Sequence, residues 1–247
     1  MLIAVVSDVH SNLVALDAVL ARIGSVDAFW HLGDIVGYGP EPERTVARLR
    51  AVGAIGVRGN HDDAVSGGSS IEQFNPDGKV AAEWSRSKIS DKTRDYLAGL
   101  PETLVRETPA GTFTLAHGSP RDPIWEYVDS PFIAGENMAR FGTQFCLVGH
   151  SHLPLSFRAR RPGGDSVRMR VVESEGSMQL GDRRAILNPG SVGQPRDGNP
   201  DASFMIIDTD AAQVSWHRVP YDVTATQAAM ASAGLPTDLI RRLARGR

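Results

Sequence analysis

The chain has 247 residues, 41% of them hydrophobic and 22% charged, with a net charge of −3 and a pI near 6.2. That composition excludes a disordered chain and leaves no global positive field for nucleic acid or an acidic membrane. The single cysteine, Cys146, excludes an internal disulfide and a cysteine-based structural zinc site.

No apolar run approaches the roughly 20 residues of a membrane span, and the N-terminus enters the run LIAVVS with no basic leader before it. With the lone thiol, this sets the expectation of a cytoplasmic protein with one domain over residues 1–247. After Asn12, which suits an N-cap, Leu13, Leu16, Val19, Leu20 and Ile23 recur at helical spacing, and Gly24 suits the stop. A second helix fits Glu41 to Val52, with Pro42 in its first turn. Alternating strands and helices with short connections imply parallel strands and right-handed crossovers. The spacing then predicts helices over Asp77–Ile89 and Asp91–Ala98, capped between by Ser90, behind a flexible Gly67-Gly68-Ser69-Ser70 stretch. Residues 63–100 read as a helical flap beside the functional site, or equally as two packing helices with a loose linker. From Thr112 strands dominate, with hairpins at Phe157–Arg161 with Val167–Val172 and at Ser203–Asp208 with Gln213–Val219. A C-terminal extension over 222–247 reads as two short helices broken at Gly234-Leu235-Pro236.

Five of the seven histidines fall in short motifs with aspartate and asparagine. In order these are Asp8-Val9-His10, Gly33-Asp34, Gly59-Asn60-His61-Asp62, His117-Gly118 and Gly149-His150-Ser151-His152. Each follows an apolar run that reads as a strand: LIAVVS, AFWHL, AIGVR, TFTLA and FCLV. Strand ends in an open α/β sheet lie along one edge, where such folds place ligands. Five ends bearing oxygen or imidazole donors therefore make one cluster with enough ligands for two metal ions. Asp8 and His10 point to the same side of an extended chain, as do His150 and His152, and Gly33 lets Asp34 turn tightly enough to sit between two ions. The donor set suits Mn, with Fe, Ni, Co or Zn as alternatives. Two ions roughly 3.5–4 Å apart can share a bridging hydroxide and clamp an in-line phosphoryl displacement.

The series DxH, GD, GNHD, H, GHSH resembles the calcineurin-like metallophosphoesterase superfamily, closest to its small bacterial and archaeal phosphodiesterase-type branch. That branch also carries a late loop like Asn188-Pro189-Gly190-Ser191-Val192-Gly193-Gln194-Pro195-Arg196. The resemblance implies a four-layer α/β/β/α sandwich of two packed mixed sheets flanked by helices. It implies one ion on Asp8, His10, Asp34 and His152, and another on Asp34, Asn60, His117 and His150. His61 would face the leaving-group oxygen as a general acid, with Asp62 either orienting it or capping the next turn. The reaction implied is metal-dependent hydrolysis of a small phosphate-ester substrate, most simply a phosphodiester. A phosphomonoesterase, a dinucleoside polyphosphate hydrolase and a non-catalytic scaffold on the same fold are the alternatives. Oligomeric state is left open, and nucleic acid is disfavoured as a partner.

Asn12 is read as a helix cap with a second role at phosphate, and Arg196 as a phosphate contact or a surface arginine. Gly190, Ser191 and Gly193 offer amides to the site or simply turn the chain. His31 is expected buried and hydrogen-bonded, and His217 structural. Arg158, Arg160, Arg168 and Arg170 read as a solvated sheet face. Protein phosphatases of the superfamily carry GDxxDRG where this chain has Gly33-Asp34-Ile35-Val36-Gly37-Tyr38-Gly39, which argues against that activity.

Overall fold

Along the first strand, Ile3 and Val5 face one way and Ala4 and Val6 the other, and all four are fully buried. A strand apolar on both faces must be covered on both. The computed structural model, which describes residues 1–69 and 71–247, supplies a second sheet on one side and helices on the other.

In chain order the elements are β1 (Leu2–Val6), α1 (Leu13–Ile23), β2 (Ala28–His31), α2 (Pro42–Ala51), β3 (Ile55–Gly56), α3 (Asn60–Ser66), α4 (Pro76–Lys88) and α5 (Asp91–Ala98). There follow β4 (Thr103–Thr108), β5 (Gly111–Ala116), α6 (Pro131–Met138), β6 (Phe145–Leu147), β7 (Pro154–Ala159), β8 (Val167–Val171) and β9 (Gly176–Gln179). The last are β10 (Ala185–Pro189), β11 (Ala202–Asp208), β12 (Gln213–Val219), α7 (Val223–Ser232) and α8 (Thr237–Leu243). One sheet runs β3-β2-β1-β11-β12-β9 and the other β4-β5-β6-β10-β7-β8. Each is mixed: β1, β2 and β3 are parallel, as are β5, β6 and β10, and the remaining pairs are antiparallel.

Ile3, Val5, Trp30, Phe113, Leu115, Phe145, Leu147 and Trp216 fill the space between the sheets. Outside the first sheet, Ala4 and Val6 meet Leu16 and Val19 of α1 and Val46 and Leu49 of α2. Outside the second, Cys146, Phe157 and Ile186 meet Ala134 and Met138 of α6. The result is the four-layer α/β/β/α sandwich. Cys146 is a buried hydrophobe whose thiol burial pushes up in pKa.

Most element expectations hold to within a residue or two. Asn12 caps α1, accepting from Ala15 N at 3.2 Å, and Ser90 caps α5, accepting from Thr93 N at 3.2 Å. Both hairpins form, with Ala159 opposite Val167 and Asp208 opposite Gln213. The strand ends differ from the expected single edge: three come from the first sheet and two from the second, so the cluster bridges the sheets. The elements β4, α3, α6 and β9 were not anticipated. Asn60 is not at the end of a long strand but opens α3, because β3 is only two residues long.

Within residues 63–100, Ala82, Ile89 and Leu97 are packed into the core, and Ser70 of the expected flexible stretch lies outside the described residues. The C-terminal helices pack on this segment: Met230, Leu235, Leu239 and Leu243 meet Ala81, Trp84 and Tyr38. His31 is fully buried as expected, yet among the described residues neither ring nitrogen has a hydrogen-bond partner, which corrects the bonded reading. Burial pushes its pKa down to about 4 and keeps the ring neutral. His217 is structural, its Nε2 2.8 Å from Ser215 Oγ and its ring on Phe204. Arg160, Arg168 and Arg170 are exposed and Arg158 partly so. Among the described residues no helix is long and apolar enough to cross a membrane.

Candidate metal centre

Asp8, His10, Asp34, Asn60, His117, His150 and His152 converge where the two sheets meet, and every one is nearly or fully buried. Asp8, His10, Asp34, His150 and His152 all have positive φ, between 48° and 64°. Left-handed backbone costs about 1 kcal/mol or more per non-glycine residue. Concentrating it on these residues turns each side chain inward just as its strand ends.

The backbone grips each imidazole by its far nitrogen. Nδ1 of His10 donates to Val36 O at 3.1 Å, Nδ1 of His117 to Leu32 O at 2.7 Å, and Nδ1 of His152 to Gln194 O at 2.6 Å. His150 is gripped the other way round, Nε2 donating to Trp125 O at 3.1 Å. In a neutral ring each such bond leaves the lone pair on the inward nitrogen. Those lone pairs face other acceptors. His10 Nε2 lies 3.1 Å from His152 Nε2, and His152 Nε2 lies 3.2 Å from Asp8 Oδ1, which has no hydrogen-bond partner. His117 Nε2 lies 3.1 Å from both His150 Nδ1 and Asn60 Oδ1. Asp34 stands between the two groups: its Oδ2 is 3.6 Å from His10 Nε2 and 3.3 Å from His117 Nε2. Its Oδ1 accepts from His61 N at 2.9 Å, which ties the start of α3 to the cluster.

Buried acceptors turned on one another are costly unless a cation lies among them. The donor set, carboxylate and carboxamide oxygen with neutral imidazole, fits divalent metal ions. The ionisation states agree. Burial pushes His150 down to about 3 and holds His10 and His152 below the usual imidazole range. Burial would raise Asp8 and Asp34, but His152 beside one and His117 beside the other outweigh it and keep both ionised. His117 goes the other way: burial opposes its charge, but Asp34 draws it up to about 9. A divalent cation would take the place of that proton.

His61 sits in the same wall, its ring 4.4 Å from those of Tyr38 and Phe74 and 4.9 Å from that of His10. Burial lowers its pKa to about 4, and its Nδ1 has no partner. A Cβ at Gly37 would lie 2.3 Å from that nitrogen, so no aspartate fits there while the ring keeps its place. Aromatic packing, not a carboxylate, holds His61. Asp62 does not touch the His61 ring, which sets aside its reading as an orienting group in favour of the capping one. Its Oδ1 accepts from Ile35 N and Val36 N at 2.9 and 3.1 Å, and its Oδ2 from Gly59 N at 3.1 Å. Asp62 thus clamps the Asp34 turn to the start of α3, even though burial beside Asp34 pushes its pKa up to about 7.

Asn12 is likewise structural, and its phosphate-contact reading gives way. Its Oδ1 accepts from Ala15 N and, at 3.0 Å, from Thr226 Oγ1, while its Nδ2 donates to Gly193 O at 3.0 Å. The loop after β10 serves as a turn: Val192 N and Gly193 N donate to Ser7 O and Asp8 O, and Gln194 O holds His152. Arg196 reaches the cleft over the cluster, whose volume is about 220 Å³ and whose walls include Tyr38, Phe74, Trp125 and Tyr127. Sequence reasoning missed the carbonyl anchors Leu32, Val36, Trp125 and Gln194, because a carbonyl leaves no residue-type signal. It also missed Tyr127, whose ring stacks on His150 at 3.8 Å.

Known proteins are similar to this chain in sequence, and one of them is similar in fold as well. A metallophosphoesterase from Sphaerobacter thermophilus is 44% identical in sequence and superimposes with a TM-score of 0.90, over 100% of this chain and 99% of that one. The uncharacterized protein MJ0912 of Methanocaldococcus jannaschii is 35% identical, over 100% of this chain and 98% of its own length. Phosphodiesterase YfcE of Escherichia coli K12 is 27% identical, over 84% of this chain and 88% of its own. Residues 1–212 match the calcineurin-like phosphoesterase superfamily domain, and the chain belongs to that superfamily.

Proposed function

We propose that this chain hydrolyses phosphodiesters of small or nucleotide-like alcohols at a centre of two divalent transition-metal ions. The observation that carries the reading is the set of tautomer-locked imidazoles whose lone pairs face one another and Asp8 across about 3 Å. Asp8, His10, Asp34 and His152 would hold one ion, and Asp34, Asn60, His117 and His150 the other, with Asp34 shared. Bound there, the ions supply an electrostatic clamp and an activated water for in-line attack on phosphorus.

The chain's own residues do the rest. The backbone carbonyls keep the imidazoles aimed, so little reorganisation is needed as charge builds up in the transition state. His61 lies beside both ligand groups without a backbone anchor on its ring, and it serves the leaving-group oxygen. Burial holds that ring neutral, and the negative charge of a bound ester would favour its taking up a proton from solvent, which it then gives to the leaving-group oxygen. Arg196, the one permanent cation lining the cleft among the described residues, contacts a non-bridging oxygen. A single guanidinium suits the single charge of a diester better than the double charge of a monoester. The name of the Escherichia coli relative, a phosphodiesterase, points the same way. A cleft of about 220 Å³ accommodates a small substrate and not a duplex.

The test strips the protein of metal and assays phosphodiesters, phosphomonoesters and dinucleotides with each divalent ion in turn. Hydrolysis should vanish on chelation and return with Mn, Co or Ni in preference to Mg, with two ions bound per chain. Full activity in excess chelator, with no metal found by elemental analysis, overturns the reading.

A further inference from the structure

A second feature adjoins the cleft. Asn75 lines the wall shared with a neighbouring trench of about 580 Å³, whose other walls include Asp77 and Asp238 and the arginines 241, 242, 245 and 247. The trench exists because α8 lies across the start of α4, fixed by the apolar cluster of Leu239, Leu243, Ala81 and Tyr38. Tyr38, packed in that cluster, also lines the cleft over the metal centre. Its ring is 4.6 Å from His10 on the inside. Two guanidinium carbons lie 6.0 Å from the same ring: Arg196 of the cleft and Arg242 of the trench.

Neither arginine has a carboxylate partner among the described residues. Arg196 Nη2 donates to Gln194 Oε1 at 3.1 Å and its side chain also hydrogen-bonds Tyr127, while its Nε is buried without a partner among the described residues. Arg242 Nε donates to the main-chain oxygen of Arg247, and among the described residues its terminal nitrogens form no ion pair. Asp77 is near enough to favour the charge of Arg242 but makes no ion pair with it. Burial, and then the like charge of Arg196, work against the charged state of Arg242. Two partly buried guanidiniums on one ring, neither with a carboxylate partner among the described residues, make an arrangement that an anion relieves and that their forked donors suit.

We infer that Arg242, with Arg196 across Tyr38, forms a second anion subsite that binds a phosphoryl group of the substrate other than the one being cleaved. The inference rests on the phosphodiesterase reading for its substrate, but not for the subsite itself. Arg241, Arg245 and Arg247, all exposed, supply a positive field over the trench that draws the anion in. Substrates with a phosphate beyond the scissile ester are then preferred over those without one.

The first test is binding of inorganic ions to the metal-free protein by calorimetry. Tripolyphosphate should bind the natural protein at least tenfold more tightly than orthophosphate, and equal affinities overturn the subsite. Arg242→Gln should weaken tripolyphosphate at least tenfold, and Arg242→Lys should recover only part, since an ammonium lacks the fork. Arg140→Gln, a distant exposed charge, sets the background; a loss as large from it overturns the subsite in favour of general electrostatics. The second test compares ethyl and phosphoethyl esters of p-nitrophenyl phosphate on the manganese-loaded protein. Arg242→Gln should raise KM at least tenfold for the phosphoethyl ester and under threefold for the ethyl ester, with kcat little changed. Equal effects on the two esters overturn the inference. Intact tripolyphosphate binding without hydrolysis of any ester would remove the phosphodiesterase reading and leave the subsite standing.

Discussion

The floor of the cleft and its walls are built on opposite principles. Seven donor side chains at the floor come from strand ends and one helix start and are nearly or fully buried, the four histidines and two aspartates among them held by main-chain hydrogen bonds. The walls come from segments far apart in sequence: Tyr38, Phe74, Trp125, Tyr127, Arg196 and, across Tyr38, Arg242. They are aromatic and cationic, half-exposed in the main, and held by packing. A floor fixed by the backbone can change little without losing its chemistry. Walls fixed by side-chain packing can change to suit a substrate.

The sharpest way to break this contrast is at Asp34. Asp34→Asn keeps the shape but halves the acceptor character between the two ligand groups. Hydrolysis should fall by more than about 10³-fold and both ions should bind more weakly, by titration with Mn and by elemental analysis. Two ions held as tightly as before would remove Asp34 from the shared position.

His61 belongs to both regions, since it touches the ligand groups but is held by wall aromatics. His61→Ala should retain both ions and lose roughly 10²–10⁴-fold in rate on alkyl esters. The loss should shrink on p-nitrophenyl esters, whose leaving group needs little protonation. Loss of an ion instead would make His61 a ligand, a reading its proximity to Asp34 and His10 permits. An equal loss on both kinds of ester would point to transition-state charge and not proton transfer.

Phe74, packed 4.4 Å from His61 and 5.5 Å from Trp125, sharpens the contrast from the other side. Phe74→Ala should leave metal binding intact and raise KM about 3- to 10-fold for an aromatic ester, the worth of one aromatic contact. A large fall in kcat with an unchanged KM would show that Phe74 acts chiefly by steadying His61.

How much of this was legible follows the same division. The ligand set was readable because apolar runs ending in DxH, GD and HxH join a period-two pattern to unmistakable donor types. Asp62 and Asn12 each kept two readings for one reason: a buried polar side chain beside a site can serve the substrate or the backbone. Only the observed partners, three amides for Asp62 and a cap with two cross-links for Asn12, decide between them. Arg242 carried no signal at all. It stands in an exposed-looking helical tail, and its meaning comes from where α8 lands.

The sequence by itself determined most helices and strands, the parallel cores and the chemistry of the floor, because burial periodicity and donor type are local properties of the chain. Tertiary structure alone decided that the five strand ends belong to two sheets, that main-chain carbonyls select each tautomer, and that α8 sets a second arginine against Tyr38. Those are contacts between segments up to about two hundred residues apart, and no local pattern encodes which distant carbonyl or helix will close on a given side chain.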